Sequence, residues 1–312
     1  MKNNIINYLI FMSIILFSLK GMAQQDPLFT QYMYNMSVIN PAYATDNPGM
    51  LNLGGIYRSQ WVGVDGAPET FSFFAHTPVS ERIEVGLSVI HDEIGGVQKE
   101  NNITADFAYV IPMNESNKLS FGVKGGLTTF DSNLTGLETN QQNDPAFQNI
   151  NEVFPVFGVG AYWFGDNYYL GASAPNLFTS KHLENRQGLV KYGEENVHYY
   201  LTGGYVFDLS ENFKLKPAFM ARGVQGSPLS VDITANVLMF NRLEAGIGYR
   251  FDDSVTGLIN FAVTPQIKVG YAYDRTTSNL GDYNDGSHEI MLLFDFDLFG
   301  LSKGYDKSPR FF

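Results

Sequence analysis

Two short runs of polar residues have the types and spacing that catalysis or metal binding would use. His91-Asp92-Glu93 could supply a general base with an orienting carboxylate, and His288-Glu289 could supply two metal ligands. The partners that such chemistry needs do not accompany them, because the sequence holds no GxSxG elbow, HExxH helix or acidic calcium loop. Both runs are better explained as strand residues that continue into polar loops. We therefore predict no enzyme, no metal site and no cofactor.

Seven charged residues occupy the polar positions of segments in which polar and apolar residues alternate. They are Glu84, Lys124, Glu244, Arg250, Lys268, Asp274 and Glu289. If these segments close into a barrel, the seven side chains line its lumen. They would then either border a conduction path, as in a porin, or pair with one another inside a filled lumen. Many glycines at inward positions leave room for an occupant. The segment that precedes the first strand is a candidate occupant, which favours the filled lumen.

The segments that carry these residues have the pattern of strands. From Leu119 to Leu127, for example, large apolar residues and Gly125 alternate with small or charged ones. A period of two gives one apolar face and one polar face. About fourteen such segments are present, at 49–60, 68–78, 83–92, 101–112, 118–130, 153–164, 168–175, 197–208, 214–223, 228–240, 243–252, 255–263, 266–275 and 288–298. Their length of about ten residues suits a tilted strand that crosses a bilayer, and bacterial single-chain barrels have an even number of strands.

The connections between the segments alternate in length. Short turns follow every second segment, whereas 131–152, 176–196 and 276–287 are much longer. A soluble β-sandwich would show the same residue alternation but has no reason to sort its loops in this way. We therefore predict an all-β protein, a transmembrane outer-membrane β-barrel of about 14 antiparallel strands. By the usual arrangement, its long loops are extracellular and both chain ends are periplasmic.

Composition agrees with this class. The chain has 31 Gly, 25 Phe and 18 Tyr, no Cys, and a net charge of −12. The lack of cysteine excludes disulfides, thiolate metal sites and a lipoprotein anchor, and the negative charge argues against nucleic acid as a partner. Aromatic residues and glycine with few charges are typical of a barrel that contacts outer-membrane lipids.

The ends of the chain suggest four parts. Lys2, the apolar run Ile5–Leu19 and the small residues of Gly21-Met22-Ala23 predict a signal peptide at 1–23. An N-terminal periplasmic helix or plug element then occupies 24–48, the barrel occupies 49–299, and a periplasmic tail occupies 300–312.

The 24–48 element contains a predicted helix. Asp26 is a good N-cap, Pro27 suits the first helical position, and Asn40-Pro41 ends the helix. One face carries Phe29, Tyr32, Met33 and Met36. An amphipathic helix of about ten residues is marginal alone and needs a surface to pack on. These residues therefore either plug the barrel at its periplasmic mouth or dock a periplasmic partner, and the two roles are compatible.

The tail is locally basic in an acidic protein. It ends in Arg310, Phe311 and Phe312, which could dock an acidic partner or the assembly machinery. The alternative is a solvated chain end without a partner.

Several longer motifs extend along nearly the whole mature chain. They are QDPLFTQYMYN at 25–35, INPAYA at 39–44, YRSQWVG at 57–63, GAPET at 66–70, YAYD at 271–274, GSHEI at 286–290 and SPRFF at 308–312. Together they resemble the PorP/SprF family, outer-membrane proteins of the type IX secretion system and gliding machinery of Bacteroidetes. The chain departs from the family at Thr45, where members often carry glycine.

The resemblance implies a non-enzymatic barrel that works with a secretion machine. It would anchor or help to export a large cell-surface adhesin, or couple to the periplasmic ring and a peptidoglycan-binding lipoprotein. The long loops would then be the surface that faces the client. A different function also fits the strand pattern, namely an outer-membrane diffusion channel or hydrophobic-solute transporter with an N-terminal plug.

Overall fold

The computed structural model describes residues 27–45, 49–133, 149–178, 180–181 and 194–298. The predicted signal peptide, Asp26 and the predicted tail with Arg310, Phe311 and Phe312 lie outside the described residues, as do parts of two long loops.

Fourteen antiparallel strands close into a barrel, which confirms the predicted fold class. They are β1 (Met50–Ser59), β2 (Glu69–Ser80), β3 (Ile83–Ile94), β4 (Gln98–Pro112), β5 (Asn117–Ser132), β6 (Ile150–Gly165), β7 (Tyr168–Ala174), β8 (His198–Tyr205 and, after a break at Val206, Phe207–Ser210), β9 (Phe213–Val224), β10 (Ser230–Met239), β11 (Leu243–Arg250), β12 (Ser254–Ala262), β13 (Ile267–Thr276) and β14 (Ser287–Asp297). Both ends of each predicted segment lie within about three residues of the corresponding ends of the observed strand. The strands pair in sequence order, and β14 pairs with β1 to close the barrel, with Ile56 opposite Met291. Closure matters because an open strand edge in hydrocarbon would leave backbone groups without hydrogen bonds.

Side chains alternate between the two faces of the wall. In β3, Glu84 and Ser88 point inward and are each 1% exposed, whereas Leu87 points outward and is 47% exposed. Exposed aromatic residues lie near both ends of the strands: Tyr109, Trp163, Phe213 and Phe261 at one end, and Tyr57, Phe71, Tyr199, Tyr249 and Tyr271 at the other. This is the outer surface expected of a wall that contacts lipid.

The two ends of the barrel differ. Six connections of two to four residues join β2–β3, β4–β5, β6–β7, β8–β9, β10–β11 and β12–β13 at what we call the short-turn end. The opposite, long-connection end carries the remaining connections, of which 133–149 and 175–197 are the longest. The second of these includes a short ladder between Ser180–Lys181 and Glu194–Glu195, and 277–286 includes a 3-10 turn at Asn279–Asp282.

Residues 29–45 lie inside the barrel, and every one of them is buried. We call this stretch the inner segment. Its apolar side chains form one core with inward residues of the wall, such as Ile56, Phe74, Met220 and Met291. None of the helices among the described residues is long and apolar enough to span a membrane.

The inner segment contains less helix than predicted. Instead of one helix of about ten residues, it has a 3-10 turn at Tyr32–Tyr34 and a single α-helical turn at Met36–Ile39. The helix ends where Asn40-Pro41 predicts, and Asn40 is extended. A regular amphipathic helix needs one apolar and one polar surface, but here the barrel surrounds the segment. Wall side chains bind several of its backbone groups, so those groups need no helical partners.

Candidate functional site: the lumen and the inner segment

A buried charge cluster holds the start of the inner segment. The backbone N–H groups of Thr30 and Gln31 donate to the two carboxylate oxygens of Glu289, each at 2.8 Å. The Thr30 hydroxyl donates to Asp274 at 2.5 Å. Both carboxylates lie near the long-connection ends of β13 and β14. Two adjacent N–H groups on one carboxylate fix both the position and the direction of the chain.

Arg58 of β1 completes this cluster. Its guanidinium lies 2.7 Å from Asp274, 3.3 Å from Glu289 and 2.7 Å from the Thr30 hydroxyl. The side chains of Arg58, Asp274 and Glu289 are at most 4% exposed. Buried charges of this kind are tolerated only when they are paired and hydrogen-bonded. The inner segment supplies part of that pairing.

Further along, Tyr34 reaches Glu244 on β11. The Tyr34 hydroxyl donates to Glu244, which also accepts hydrogen bonds from Asn236 and Asn260 at 2.5 and 2.9 Å. The ammonium of Lys216 lies 5.0 Å from the centre of the Tyr34 ring, which is a cation–π distance.

The helical turn is bound through its carbonyl groups. Lys124 of β5 donates to the carbonyls of Ser37 and Val38 at 3.2 and 3.0 Å and pairs with Asp106 at 3.3 Å. Four carbonyls at a helix C-terminus lack partners within the helix, and cations are favoured there. Lys124 thus supplies hydrogen-bond donors to two carbonyl groups at the end of this turn.

The last part of the inner segment packs closely against the wall. A Cβ atom on Gly122 would clash with the Pro41 carbonyl, and one on Gly160 would clash with the Asn40 side chain. Asn40 itself donates to the Ala161 carbonyl at 3.1 Å. Glycine at these wall positions therefore permits the backbone to approach.

Tyr43 and Thr45 contact the wall near the short-turn end. The Tyr43 ring lies 5.3 Å from His76 and 5.5 Å from Tyr162, and its carbonyl bonds the His76 ring at 3.1 Å. The N–H of Thr45 donates to the Glu84 carboxylate at 2.9 Å. The inner segment thus runs from wall residues near the long-connection end, at Thr30, to wall residues near the short-turn end, at Thr45. We had expected it at the periplasmic mouth alone, and it is not confined there.

The seven predicted lumen residues all face inward, and they fall into two groups. Five bind the inner segment: Glu84, Lys124, Glu244, Asp274 and Glu289. Arg250 instead binds Asp232 at 2.6 Å, and Lys268 pairs with Asp295. The seven residues make contacts within an occupied lumen.

The candidates on the N-terminal element are also inside. Phe29, Tyr32, Met33 and Met36 are each at most 3% exposed, and Pro27 is half-buried. These apolar residues do not lie on one continuous helix, and all four belong to one buried core that the segment shares with the wall. Pro27 precedes the first helical turn and does not begin a helix.

Sequence reasoning missed Arg58, Asp106 and His76. Arg58 was hidden because β1 does not alternate cleanly: Ile56, two positions earlier, also faces inward and is fully buried against the inner segment. Because Ile56 is apolar, the inner face of β1 does not stand out as polar in the sequence, and Arg58 alone does not show which face is inside. The one usable signal was its place within the YRSQWVG motif.

The structure separates most of the residues in the two histidine runs. His91 faces outward and bonds Asn101 at 2.7 Å, whereas Asp92 faces the lumen and accepts from Thr70. Likewise His288 bonds the Tyr271 hydroxyl at 2.6 Å, whereas Glu289 binds the inner segment. Adjacent strand residues point to opposite faces, so His91 does not meet Asp92 and His288 does not meet Glu289. Glu93 shares the outer face with His91, and its carboxylate lies 3.9 Å from the His91 ring. Among the residues that the structure describes, no group of three or more His, Asp or Glu could hold a metal ion.

A cavity lies above the inner segment, and we call it the vestibule. Its walls come from the long-connection halves of strands β3 to β9, and its empty volume, open mouth included, is about 830 Å³. The residues that line it are Pro27, Leu28, Phe29, Val38, Ile39, Ile90, Asp92, Glu100, Asn102, Thr104, Lys124, Val156, Pro175, Asn176, Tyr200 and Met220. Because the inner segment forms its floor, the vestibule opens toward the long-connection end.

Solved structures with a similar fold are outer-membrane barrels. A FadL homologue from Pseudomonas aeruginosa matches with a TM-score of 0.51 and 12% identity, over 84% of this chain and 94% of that one. Omp33 from Acinetobacter baumannii matches with a TM-score of 0.48 and 9% identity, over 79% of this chain and 98% of that one. At such identities the likeness concerns the fold alone. No functionally curated protein matches the chain significantly.

The family assignment rests on the sequence. The profile of the family described as "Type IX secretion system membrane protein PorP/SprF" matches residues 21–294. The match includes the inner segment and nearly all of the barrel, up to Phe294 in β14. The chain belongs to this family of type IX secretion system membrane proteins.

Proposed function

We propose that this barrel serves type IX secretion as a filled scaffold and not as a diffusion channel. It anchors or helps to export a large cell-surface adhesin, or it couples to the periplasmic ring and a peptidoglycan-binding lipoprotein. The observation that carries the proposal is the inner segment, residues 29–45, which is buried throughout inside the barrel.

The contacts of the inner segment support a stable closure. If the segment left the lumen, Glu289 would lose two backbone donors and Lys124 would lose two carbonyl acceptors. Hydrogen bonds to charged groups each contribute about 1.5–3 kcal/mol. Such a segment is a plug for the resting protein, and its residues from Phe29 to Pro41 act as closure elements.

The proposed orientation follows the usual arrangement of outer-membrane barrels. The short-turn end faces the periplasm and the long-connection end faces the cell exterior. The connections 133–149, 175–197 and 277–286 would then meet the surface protein, and the apolar outer wall would contact outer-membrane lipids. The C-terminal tail, with Arg310, Phe311 and Phe312, remains a candidate for docking on the periplasmic side. A role in the gliding motility of a member of the Bacteroidetes belongs to the same proposal.

A second candidate is an outer-membrane channel or transporter for hydrophobic solutes. The fold likeness to the FadL homologue and the open vestibule favour it. The two candidates differ in what the inner segment does: in a scaffold it stays in place, and in a channel it moves aside.

Planar-bilayer conductance separates the two. We expect the purified barrel to remain closed and a variant that lacks residues 27–45 to conduct, because the segment fills the lumen. A stable open pore in the intact protein would contradict the filled scaffold.

Partner recovery tests the role in secretion. The tagged barrel, cross-linked in its native host and purified, should bring down a large surface protein or components of the secretion ring. Recovery of the barrel alone would count against the scaffold even if the pore is closed.

A further inference from the structure

The inner segment begins at the long-connection end of the barrel. Thr30 is bound by Asp274 and Glu289, which lie near the long-connection ends of β13 and β14. Pro27 and Leu28 precede it and line the vestibule, which opens toward the same end. The N-terminal end of the described chain therefore lies at the long-connection mouth.

The other end of the segment is joined to the wall at the short-turn end. Thr45 donates to Glu84, the second residue of β3, which begins at that end. β1 begins there as well, at Met50, five residues after Thr45. The Gly49 carbonyl accepts from the N–H of Leu298 at 2.9 Å, so the entry into β1 is fixed to the wall. The segment is therefore tethered at the short-turn end, whereas its other end leads toward the N-terminus.

This arrangement sets the direction in which the lumen can be cleared. If the segment left through the long-connection mouth, the chain that follows it would still cross the lumen to reach its tether at Met50. If it leaves through the short-turn mouth, segment and tether are on the same side and the lumen is empty. Cleavage after residue 23, as the sequence predicts, leaves three residues ahead of Pro27, and so short an end can follow through the lumen.

The wall keeps internal charge pairs when the segment departs. Arg58 lies 2.7 Å from Asp274 and 3.3 Å from Glu289, and Lys124 lies 3.3 Å from Asp106. These ion pairs join wall residues only, so withdrawal removes hydrogen bonds from them but leaves no member of these pairs alone. Buried charges that remain paired are tolerated, and the barrel can therefore outlast the loss of its occupant.

We propose that the inner segment is a one-way plug, which is withdrawn only toward the short-turn end and by a partner that acts there. The proposal rests on the proposed function in that it takes residues 29–45 as the closure of the barrel. In the proposed orientation the partner that withdraws the plug is periplasmic. A surface protein at the long-connection end cannot open the barrel, because a pull on the N-terminal end only stretches the chain across the lumen.

A biotin near the N-terminal end tests the direction in planar bilayers. The chain has no native cysteine, so Leu28→Cys provides a single thiol for a biotin maleimide. Streptavidin is far wider than the lumen and holds the biotin on the side where it binds. The segment is loosened with Arg58→Met, or with urea if that variant stays closed, because urea weakens contacts of apolar and peptide groups.

Streptavidin should have opposite effects from the two sides. On the long-connection side, we expect it to bind Leu28→Cys before the segment is loosened and then to lower the conductance several-fold. On the short-turn side, it should bind only after loosening, when the biotin has emerged there, and should prevent the channel from closing again.

Two control thiols identify the sides and test for obstruction. Tyr283→Cys replaces a residue that is 76% exposed in the connection 277–286, and Glu115→Cys lies in the exposed β4–β5 turn. Each biotin should bind streptavidin from its own side alone, before and after loosening. Neither should change the conductance.

Four results would overturn the proposal. They are an open channel trapped from the long-connection side, access to Leu28→Cys from the short-turn side before loosening, an equal loss of conductance with Tyr283→Cys, and a barrel that stays closed under both Arg58→Met and urea. None depends on whether the untreated barrel is closed or recovers a partner from cells. Failure of the one-way plug is therefore distinguishable from failure of the proposed function.

Discussion

Two parts of the inner segment, around Thr30 and around Pro41, are held by different kinds of interaction. At Thr30 and Gln31 the chain is bound by a buried cluster of charges, Arg58, Asp274 and Glu289. Around Pro41 it is bound by shape, because wall glycines let the backbone approach. Charge-assisted hydrogen bonds are strong but fail when one partner is removed, whereas close packing fails when a group is added.

Because of this difference, mutations can loosen the Thr30 part and the Pro41 part of the segment independently. A lost charge should release the Thr30 end first, and an added methyl group should release the Pro41 end first. Hydrogen exchange of backbone amides within residues 29–45 reports both ends in one experiment.

Removal of Arg58 should have the largest effect. Arg58→Met leaves Asp274 and Glu289 buried without their guanidinium, and breaking a buried ion pair in this way costs about 3–5 kcal/mol. We expect fast exchange at Thr30 and Gln31, and channel conductance in planar bilayers. Arg275→Met, which removes an exposed arginine of the same strand as Asp274, should change neither. Unchanged exchange at Thr30 in Arg58→Met would show that the charge cluster does not hold the segment.

An added side chain on Gly122 should have the next largest effect. The Cβ of Gly122→Val would clash with the Pro41 carbonyl, and overpacking of this kind costs about 1–3 kcal/mol. Exchange should rise at Ala42, Tyr43 and Thr45 and much less at Thr30. Gly125→Val is the matched control, because Gly125 lies on the same strand with nothing within 4 Å of a Cβ. If both variants behave alike, close approach at Pro41 is not what holds this end.

The smallest effect is expected at Thr45. Thr45→Gly keeps the backbone N–H that donates to Glu84 at 2.9 Å and loses a longer hydroxyl contact at 3.4 Å. Glycine adds freedom to the chain, so we expect a loss of less than about 1 kcal/mol. Exchange at Thr45 should therefore stay close to that of the unchanged protein. A large increase would mean that the hydroxyl, and not the backbone, supplies the anchor to Glu84.

The strands could be predicted because membrane contact imposes a simple rule on them. Each strand has lipid on its outer face, so apolar and polar residues must alternate, as at Leu87 between Gly86 and Ser88. The same rule placed Glu84 and Glu289 on the inner face. It failed at β1, where Ile56 faces the inner segment and removes the contrast between the faces.

The inner segment could be predicted only in part. Proline at position 41 marked the end of its helix correctly, because the residue before proline avoids the α conformation. Helical spacing of Phe29, Tyr32 and Met33 suggested one packing surface, yet these residues are buried on all sides. Local pattern cannot show that a segment is surrounded, since the surrounding residues come from every part of the chain.

The sequence by itself determined the fold class, the strand positions and the family, because alternation, turn lengths and long motifs are local properties of the chain. Only the tertiary structure decided that residues 29–45 fill the lumen and which charges hold them. Arg58, Asp274 and Glu289 are distant in sequence and meet only when β14 pairs with β1 and β13. Their long-range pairing, and the vestibule left above the inner segment, follow from closure of the barrel around its own N-terminal chain.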